Sequence, residues 1–323
     1  MIDTIEIVQD FDSVKELEAC IQILEKKYII DKSTTVSNDN LKPIKTFYTC
    51  WDKGFKIWII QNKIYLQGSL TKLYFGNNYQ TLNSRQLIKA YEKLKARYFF
   101  INWNKAIHKR IDLGVSFRLS TPPSFTIRKI IGGKRMKKTV YKSNGESVII
   151  GNNSNQIIFY DQTESCNKEL SKNSNIKTIP DNLLRIEYKM LKLHTIERHF
   201  GSKNITIDYI LTNMHFLPKI WYSMYCNAEK DYSTNIGLFS NKKEMEIKAI
   251  IHYGIESLKN ELVDSYKSKR LTRSTKQNIQ NYLGDILSYQ SEYTKSLNSM
   301  KILDNRAERF ANCNSFIRAN ISV

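Results

Sequence analysis

Hydrophobic and polar positions alternate with recognisable spacing along most of the chain. The first twelve residues partly alternate and predict a strand, and residues 14–28 carry apolar side chains at helical spacing. The polar residues 31–40 predict a loop. Three short runs follow, KTFYTCW, FKIWII and KIYLQGSL, and each predicts a strand. Ser84 is expected to cap a helix over residues 85–98, because an apolar stripe begins directly after it.

The middle of the chain reads as strands with one short helix. Residues 109–117 predict a strand, and Pro123 is expected to open a helix, FTIRKII, that Gly132 and Gly133 end. The runs KKTVY, ESVIIG and QIIFYD predict further strands, the last two joined by an asparagine-rich loop. The polar residues 163–182 predict a linker.

The segment after this linker, residues 183–192, predicts a strand with two different faces. Leu184, Ile186, Tyr188 and Met190 fall on one side, and Arg185, Glu187 and Lys189 fall on the other.

The pattern after residue 200 is helical. Residues 244–266 carry an apolar stripe, and a second helix is expected to begin near Ser274. We therefore predict an α+β fold, a central antiparallel sheet with flanking helices, followed by a helical C-terminal segment. The expected domains are residues 1–228, which hold the chemistry, and residues 229–323, which are helical and bind DNA or assist.

Composition narrows the class of partner. The 323 residues carry 50 Lys and Arg against 31 Asp and Glu, a net charge of +19, and the sequence pI is near 9.5. A chain this basic favours a polyanionic partner, and nucleic acid fits best because no basic amphipathic membrane helix stands out. The hydrophobic fraction of 41% is enough for a core and excludes a fully disordered chain.

Cysteine usage and the N-terminal residues indicate a cytoplasmic protein. The five cysteines are odd in number and never spaced C-x-x-C, which argues against a disulfide scaffold or a thiolate zinc site. No apolar run approaches the ~20 residues of a membrane span. The opening residues are acidic, where a secretory signal would be basic.

Three polar side chains in the central strands form a candidate catalytic set: Asp112, Tyr160 and Glu187. If adjacent strands bring them to one face, two carboxylates could hold Mg²⁺ or Mn²⁺ beside a tyrosine nucleophile. A phenol with a pKa of ~10 needs help to lose its proton, from the metal or from Lys189. The alternative is structural: Tyr160 packs in the core, and the carboxylates face solvent paired with Arg110 and Arg185.

Four blocks in order carry a family resemblance. They are MIDTIEI, the Arg110–Asp112 strand, ESVIIGNNSNQIIFYDQ and LLRIEYKMLKLHTIERHFG. Over roughly residues 1–220 the chain resembles the gene II/X replication initiators of filamentous phages and their relatives on rolling-circle plasmids.

The resemblance implies a function and roles for individual residues. Such an enzyme nicks and rejoins one strand at a replication origin through a covalent 5′-phosphotyrosine. Tyr160 falls on the nicking tyrosine, and Asp112 and Glu187 fall on acidic positions expected to hold Mg²⁺ or Mn²⁺. A second transfer needs another nucleophile, for which Tyr141 is a candidate and Tyr188, facing away from Glu187, is not favoured.

The same resemblance implies that the protein acts in the cytoplasm of a bacterial host, and it implies partners. These are origin DNA that is a hairpin or single-stranded at the nick, and the host's helicase and polymerase; a homodimer stays open.

The metal site departs from that of many rolling-circle initiators. No H-x-H motif occurs, and His194 and His199, five residues apart, do not share a helix face. The ligands are therefore expected to be mainly carboxylates, and zinc is not expected.

Two basic runs are candidate DNA contacts. Residues 128–142 precede the tyrosine hairpin, and residues 267–276 join two predicted helices that could form a helix-turn-helix with Gln277 and Asn281 at base edges. Solvated basic loops are the alternative. The candidate DNA-binding residues are Arg110, Lys134, Arg135, Lys137, Lys138, Lys142, Arg185, Lys269, Arg270, Arg273 and Lys276. The aromatic residues that could stack on unpaired bases, although core packing explains most of them, are Trp51, Trp58, Phe75 and Tyr79.

Two other functions remain open. A non-catalytic origin-binding protein would bind DNA specifically without a metal-dependent covalent product. A transposase-like strand transferase would act on terminal or recombination sites.

Overall fold

The computed structural model of the chain describes residues 1–35, 45–134, 136–141, 147–170, 180–230, 277, 281 and 298–312.

The fold is built on one antiparallel sheet of ten strands. Its strands are β1 (Ile2–Asp10), β2 (Asp31–Thr35), β3 (Lys45–Asp52), β4 (Phe55–Ile60), β5 (Lys63–Ser69), β6 (Ile107–Arg118), β8 (Lys137–Tyr141), β9 (Ser147–Gly151), β10 (Asn155–Asp161) and β11 (Leu183–Met190). Their order across the sheet is β2-β3-β4-β5-β1-β6-β11-β10-β9-β8. Two further strands, β7 (Ile130–Gly133) and β12 (Ala228–Lys230), form a separate pair.

Helices flank the sheet. They are α1 (Val14–Lys27), α2 (Leu70–Phe75), α3 (Ser84–Arg97), α4 (Pro123–Arg128), α5 (Gln162–Leu170), α6 (Leu193–Phe200), α7 (Ile207–Thr212), α8 (Phe216–Asn227) and α9 (298–311). In the part of the chain that the structure describes, no helix is long and apolar enough to cross a membrane. The described cysteines form no disulfide.

One face of the sheet carries the core, as the alternation of the sequence predicts. Ile5 on β1, Ile111 on β6, Ile186 on β11 and Phe159 on β10 are fully buried with Trp221 of α8. Side chains of β4 and β5 alternate strictly between buried and half-exposed, so the opposite face is more open. The α+β class, the central antiparallel sheet and its flanking helices are therefore confirmed.

Four local predictions are wrong. Residues 31–35 form an edge strand paired with β3 in place of a loop. Asn83 caps α3 in place of Ser84, because its side chain accepts from the Gln86 backbone while Gln86 reaches back to the cap. The helix at Pro123 ends at Arg128, and residues 130–133 form β7. Residues 163–170 of the predicted linker are helical, as part of α5.

The described part of the C-terminal segment packs on the first predicted domain. Phe310 of α9 meets Trp221 of α8 with ring centroids 5.6 Å apart. Asp304 accepts hydrogen bonds from Tyr225 at 2.6 Å and Lys230 at 3.0 Å. Helix α9 thus shares the core of the sheet domain. The helix predicted over residues 244–266 lies outside the described residues, and the boundary at residue 228 stays a prediction.

A buried histidine makes stability depend on pH. His108 is fully buried, its Nδ1 donates to the Ile205 carbonyl at 2.9 Å, and its Nε2 therefore accepts from the Tyr91 hydroxyl at 3.1 Å. Burial lowers the pKa of His108 to about 4. An unfolded histidine titrates near pKa ~6.5, so below that pH the unfolded chain binds a proton that the folded chain does not.

We expect stability to fall as pH drops through this window. Between about pH 7 and about pH 5, His108 alone should cost about 2 kcal/mol of unfolding free energy. Denaturant unfolding at both pH values, with the uncharged His108→Gln variant as control, measures this. An equal loss of stability in the variant would contradict the role of His108.

Candidate active site

The candidate site lies on neighbouring strands β10, β11 and β6, on the face opposite the core. The register of these strands determines which residues meet in the site, because Tyr160 pairs with Arg185 and Lys189 pairs with Asp112. Glu187 lies on β11 between the strands that carry Tyr160 and Asp112. The structure therefore brings together the tyrosine, both carboxylates and the lysine that the sequence nominated.

Tyr160 and Glu187 contact each other directly. The Tyr160 hydroxyl donates to Oε1 of Glu187 at 2.8 Å. Burial, and next the negative charge of Glu187, raise the pKa of Tyr160 well above its ordinary value. The phenol therefore keeps its proton in the folded protein and shares it with a carboxylate at the distance needed for proton transfer.

Glu187 is held as a carboxylate by cations. Arg185 Nε donates to the same oxygen, Oε1, at 2.8 Å, and Lys189 Nζ lies 3.4 Å from Oε2. Burial opposes ionisation, but the charges of Arg185 and Lys189 and the bonds from Arg185 and Tyr160 outweigh it. They hold the pKa of Glu187 well below its usual range.

Asp112 lies in a different electrostatic setting. Arg110 donates two hydrogen bonds to its carboxylate, from Nε to Oδ1 at 2.8 Å and from NH2 to Oδ2 at 2.6 Å. Burial nevertheless raises the pKa of Asp112 to about 6, because the single arginine only partly offsets desolvation. The site therefore holds one firmly charged carboxylate and one that takes up a proton in mild acid.

Arg185 is the buried centre of this network. Its guanidinium also donates to Asp3 Oδ2 at 2.9 Å, to the Asn78 carbonyl at 2.9 Å and to Ser116 Oγ at 3.2 Å. Gly114 makes room for it, because a Cβ there would lie 2.3 Å from the guanidinium. The contacts of Arg185 are thus to protein groups, and they position Glu187.

Asp3 is a member of the network that the sequence did not single out. A register shift in β1 between Ile2 and Ile5 surrounds it, and irregularities of this kind redirect side chains. Ser69 donates to its Oδ1 at 2.8 Å. The only sequence signal was an acidic residue next to the apolar Ile2 at the start of the opening strand.

A cavity of about 420 Å³ adjoins this network. Its lining includes Asp3, Asp112 and Glu187, and the cations Lys56, Lys72, Arg110 and Lys189. Tyr160 is connected to the cavity by its hydrogen bond to Glu187, which is one of the lining residues. An anionic phosphate entering the cavity would therefore meet four cationic side chains around three carboxylates.

The other residues that the sequence suggested for catalysis or DNA binding lie in several parts of the structure. Tyr188 faces the core, as predicted from its position on the strand, and it also bonds His199 at 2.7 Å. Lys134 is exposed, and Lys137 and Lys138 belong to the edge strand β8. Gln277 and Asn281 are helical, and their side chains are hydrogen-bonded at 3.1 Å. The nominated residues outside the described part of the chain are Arg135, Lys142, Lys269, Arg270, Arg273 and Lys276.

The aromatic residues proposed to stack on bases lie in different surroundings. Phe75 packs against the core, while Trp51 is exposed and lines the cavity. Trp58 stacks on Tyr65, a partner that the sequence did not single out.

The fold and a family match together define a rolling-circle replication initiator. The family model that describes the N-terminal region of the phage gene II replication-associated protein matches residues 1–208, so the chain belongs to that family. No curated protein matches the chain. Membership confirms the resemblance drawn from the sequence and makes DNA the partner.

Proposed function

We propose that this initiator nicks and rejoins one DNA strand at its origin with Tyr160 as nucleophile. The observation that carries the proposal is the 2.8 Å hydrogen bond from the Tyr160 hydroxyl to Glu187, beside a cavity lined by cations. A half-buried tyrosine bonded to an ionised carboxylate, next to a cavity that carries four cationic side chains, is what such an attack requires.

The reaction conserves the phosphodiester bond energy. The Tyr160 oxygen attacks phosphorus, the bond from phosphorus to the 3′ oxygen breaks, and that oxygen leaves with a proton as a free 3′-OH. The 5′-phosphate stays on Tyr160. Attack by a 3′-OH reverses the step and rejoins the strand.

The surrounding side chains supply positive charge and a group that can receive the proton of the phenol. Glu187 Oε1 is positioned to orient the phenol and receive its proton. Lys189 and Arg110, which line the cavity, are positioned to stabilise the added negative charge on the transition-state phosphorus oxygens. Arg185 acts by positioning Glu187.

The carboxylates fit a hard divalent cation in their chemistry. Asp112 and Glu187 offer the oxygen ligands that Mg²⁺ and Mn²⁺ prefer, and such an ion would neutralise phosphate charge and lower the pKa of the phenol. Among the described residues no group of three or more His, Cys, Asp or Glu is placed to hold a metal, and both carboxylates are paired with cations. Substrate oxygens would therefore complete the ligand set.

The substrate proposed is origin DNA that is single-stranded or extruded as a hairpin at the nick. We also propose that the host polymerase extends the exposed 3′-OH while the host helicase separates the strands ahead of it. Tyr141 stays the candidate for the second transfer: it pairs with Ser147, which pairs with Tyr160 across the next strand.

The test is formation of a covalent adduct. The purified chain is incubated with single-stranded oligonucleotides tiling the origin of its own replicon, with Mg²⁺, Mn²⁺ or a chelator, and resolved on a denaturing gel. We expect an adduct that requires the metal. Glu187→Gln should lower its rate by roughly 10²- to 10⁴-fold, whereas Glu92→Gln, on the exposed face of α3, should not change it.

Two outcomes would contradict the proposal. Specific origin binding without any adduct would identify a non-catalytic origin-binding protein. An adduct formed on terminal or recombination sites in preference to the origin would identify a transposase-like strand transferase.

A further inference from the structure

Three aromatic residues lie on the open side of the sheet, on strands β3, β4 and β5, which carry none of the candidate catalytic residues. Trp58 on β4 pairs with Tyr65 on β5, and Trp51 lies on β3. The neighbouring positions of β4 and β5 that face the other way, such as Ile57 and Leu66, are fully buried. Trp51, Trp58 and Tyr65 are here called the aromatic platform.

The rings of the aromatic platform are arranged for stacking. Those of Trp58 and Tyr65 are parallel within 3°, with centroids 5.1 Å apart. Trp51 is 65% exposed, an unusual fraction for so large an apolar side chain. Flat rings that protrude from a sheet face are how several nucleic-acid-binding folds hold unpaired bases.

Lysines accompany the rings. Lys56 Nζ lies 5.4 Å from the Trp58 ring centroid, and Lys109 Nζ lies 5.5 Å from that of Tyr65. A base that stacks on either ring displaces an ammonium group, and base stacking is the stronger of the two interactions. The displaced lysine stays beside the base, where it can pair with the backbone phosphate.

The aromatic platform is continuous with the candidate active site. Trp51 and Lys56 line the same cavity as Asp112 and Glu187. Strand β4 lies five strand intervals from β10, which carries Tyr160, or roughly 24 Å at ~4.8 Å per interval. A DNA strand of several nucleotides can therefore reach from Trp58 to Tyr160.

We propose that the aromatic platform binds an unpaired segment of the DNA strand that enters the active site, by stacking bases on Trp51, Trp58 and Tyr65. The occupant is single-stranded DNA because the rings are accompanied by lysines on a chain of net charge +19, which suits a polyanion with exposed π-faces. The inference rests on the proposed function and adds how the strand is held.

The test measures binding without cutting. Tyr160→Phe protein is titrated into a labelled single-stranded origin oligonucleotide, followed by fluorescence anisotropy, and compared with the same protein carrying Trp51→Ala and Trp58→Ala. Each lost stacking contact should weaken binding by roughly 5- to 150-fold. Phe99→Ala, at another exposed aromatic residue at the end of α3, should bind like the parent. Binding of the matching duplex, whose bases are already stacked on each other, should not change.

One further variant and one further measurement distinguish a lost stacking contact from a damaged fold. Trp58→Phe retains an aromatic ring and should restore most of the affinity lost in Trp58→Ala, and thermal unfolding of each variant verifies the fold. The proposal is overturned if the double variant binds the oligonucleotide like the parent, if duplex binding falls equally, or if the substitutions instead dissociate a dimer.

The two proposals fail separately. If the protein with its natural platform residues forms the adduct, but the tryptophan variants bind the oligonucleotide as tightly as the parent, only the aromatic platform is overturned. Tryptophan-dependent binding of single strands without any adduct from the Tyr160 protein would support the aromatic platform and overturn nicking.

Discussion

Tyr160→Phe should abolish the covalent DNA adduct, lowering the rate of strand cleavage by roughly 10⁴-fold or more, as expected when a nucleophile is removed. Phenylalanine keeps the ring in place and loses only the hydroxyl and its hydrogen bond to Glu187. DNA binding should therefore persist, and the defect should appear in the rate of cleavage. Quantifying adduct and cleaved product against time for both proteins measures the effect.

Tyr188→Phe is the matched control for this result. Tyr188 is another tyrosine of the central sheet, but it is fully buried, faces the core and bonds His199. Its loss should leave the adduct in place. Survival of the adduct in Tyr160→Phe would move the nucleophile elsewhere, with Tyr141 the next residue to replace.

Arg185→Met should destabilise the protein by about 3–5 kcal/mol, the range for breaking a buried ion pair by removal of one partner. The methionine fills similar space but leaves Asp3 and Glu187 without the guanidinium that bonds both. The pKa of Glu187 should rise for the same reason. Denaturant unfolding measures the stability, and adduct formation should fall with it.

Two further variants separate the effect of charge from the effect of geometry around Glu187. Lys189→Met removes the other cation beside Glu187, but its partly exposed ammonium lies 3.4 Å away, so the cost should stay below about 1 kcal/mol. Arg185→Lys keeps the charge but cannot reach Asp3, Glu187 and Asn78 together, so it should be intermediate. Equal stability of Arg185→Met and the unmodified protein would contradict a central role for Arg185.

The sequence predicted the parts of the site that depend on alternation along strands. Alternation placed Arg185, Glu187 and Lys189 on one face and Tyr188 on the other, and the ladder of β10, β11 and β6 confirms that placement. The structural alternative also describes real contacts, because Asp112 does pair with Arg110 and Glu187 with Arg185. In this site the ion pairs and the tyrosine belong to one network.

What the sequence could not predict depends on contacts between distant residues. Asp3 joins the network through an irregularity of β1 that no local pattern reveals. Tyr65 meets Trp58 because β4 and β5 pair in one particular register. Residues 31–35 form a strand because β3 offers a free edge, although their composition is that of a loop.

The proposed nicking reaction depends on a covalent bond between Tyr160 and DNA. To locate this bond, the purified adduct is digested with protease and nuclease, and the modified peptide is identified by mass spectrometry. We expect a nucleotide phosphate on Tyr160. A nucleotide phosphate on another residue, or none on any tyrosine, would contradict Tyr160 as the nucleophile.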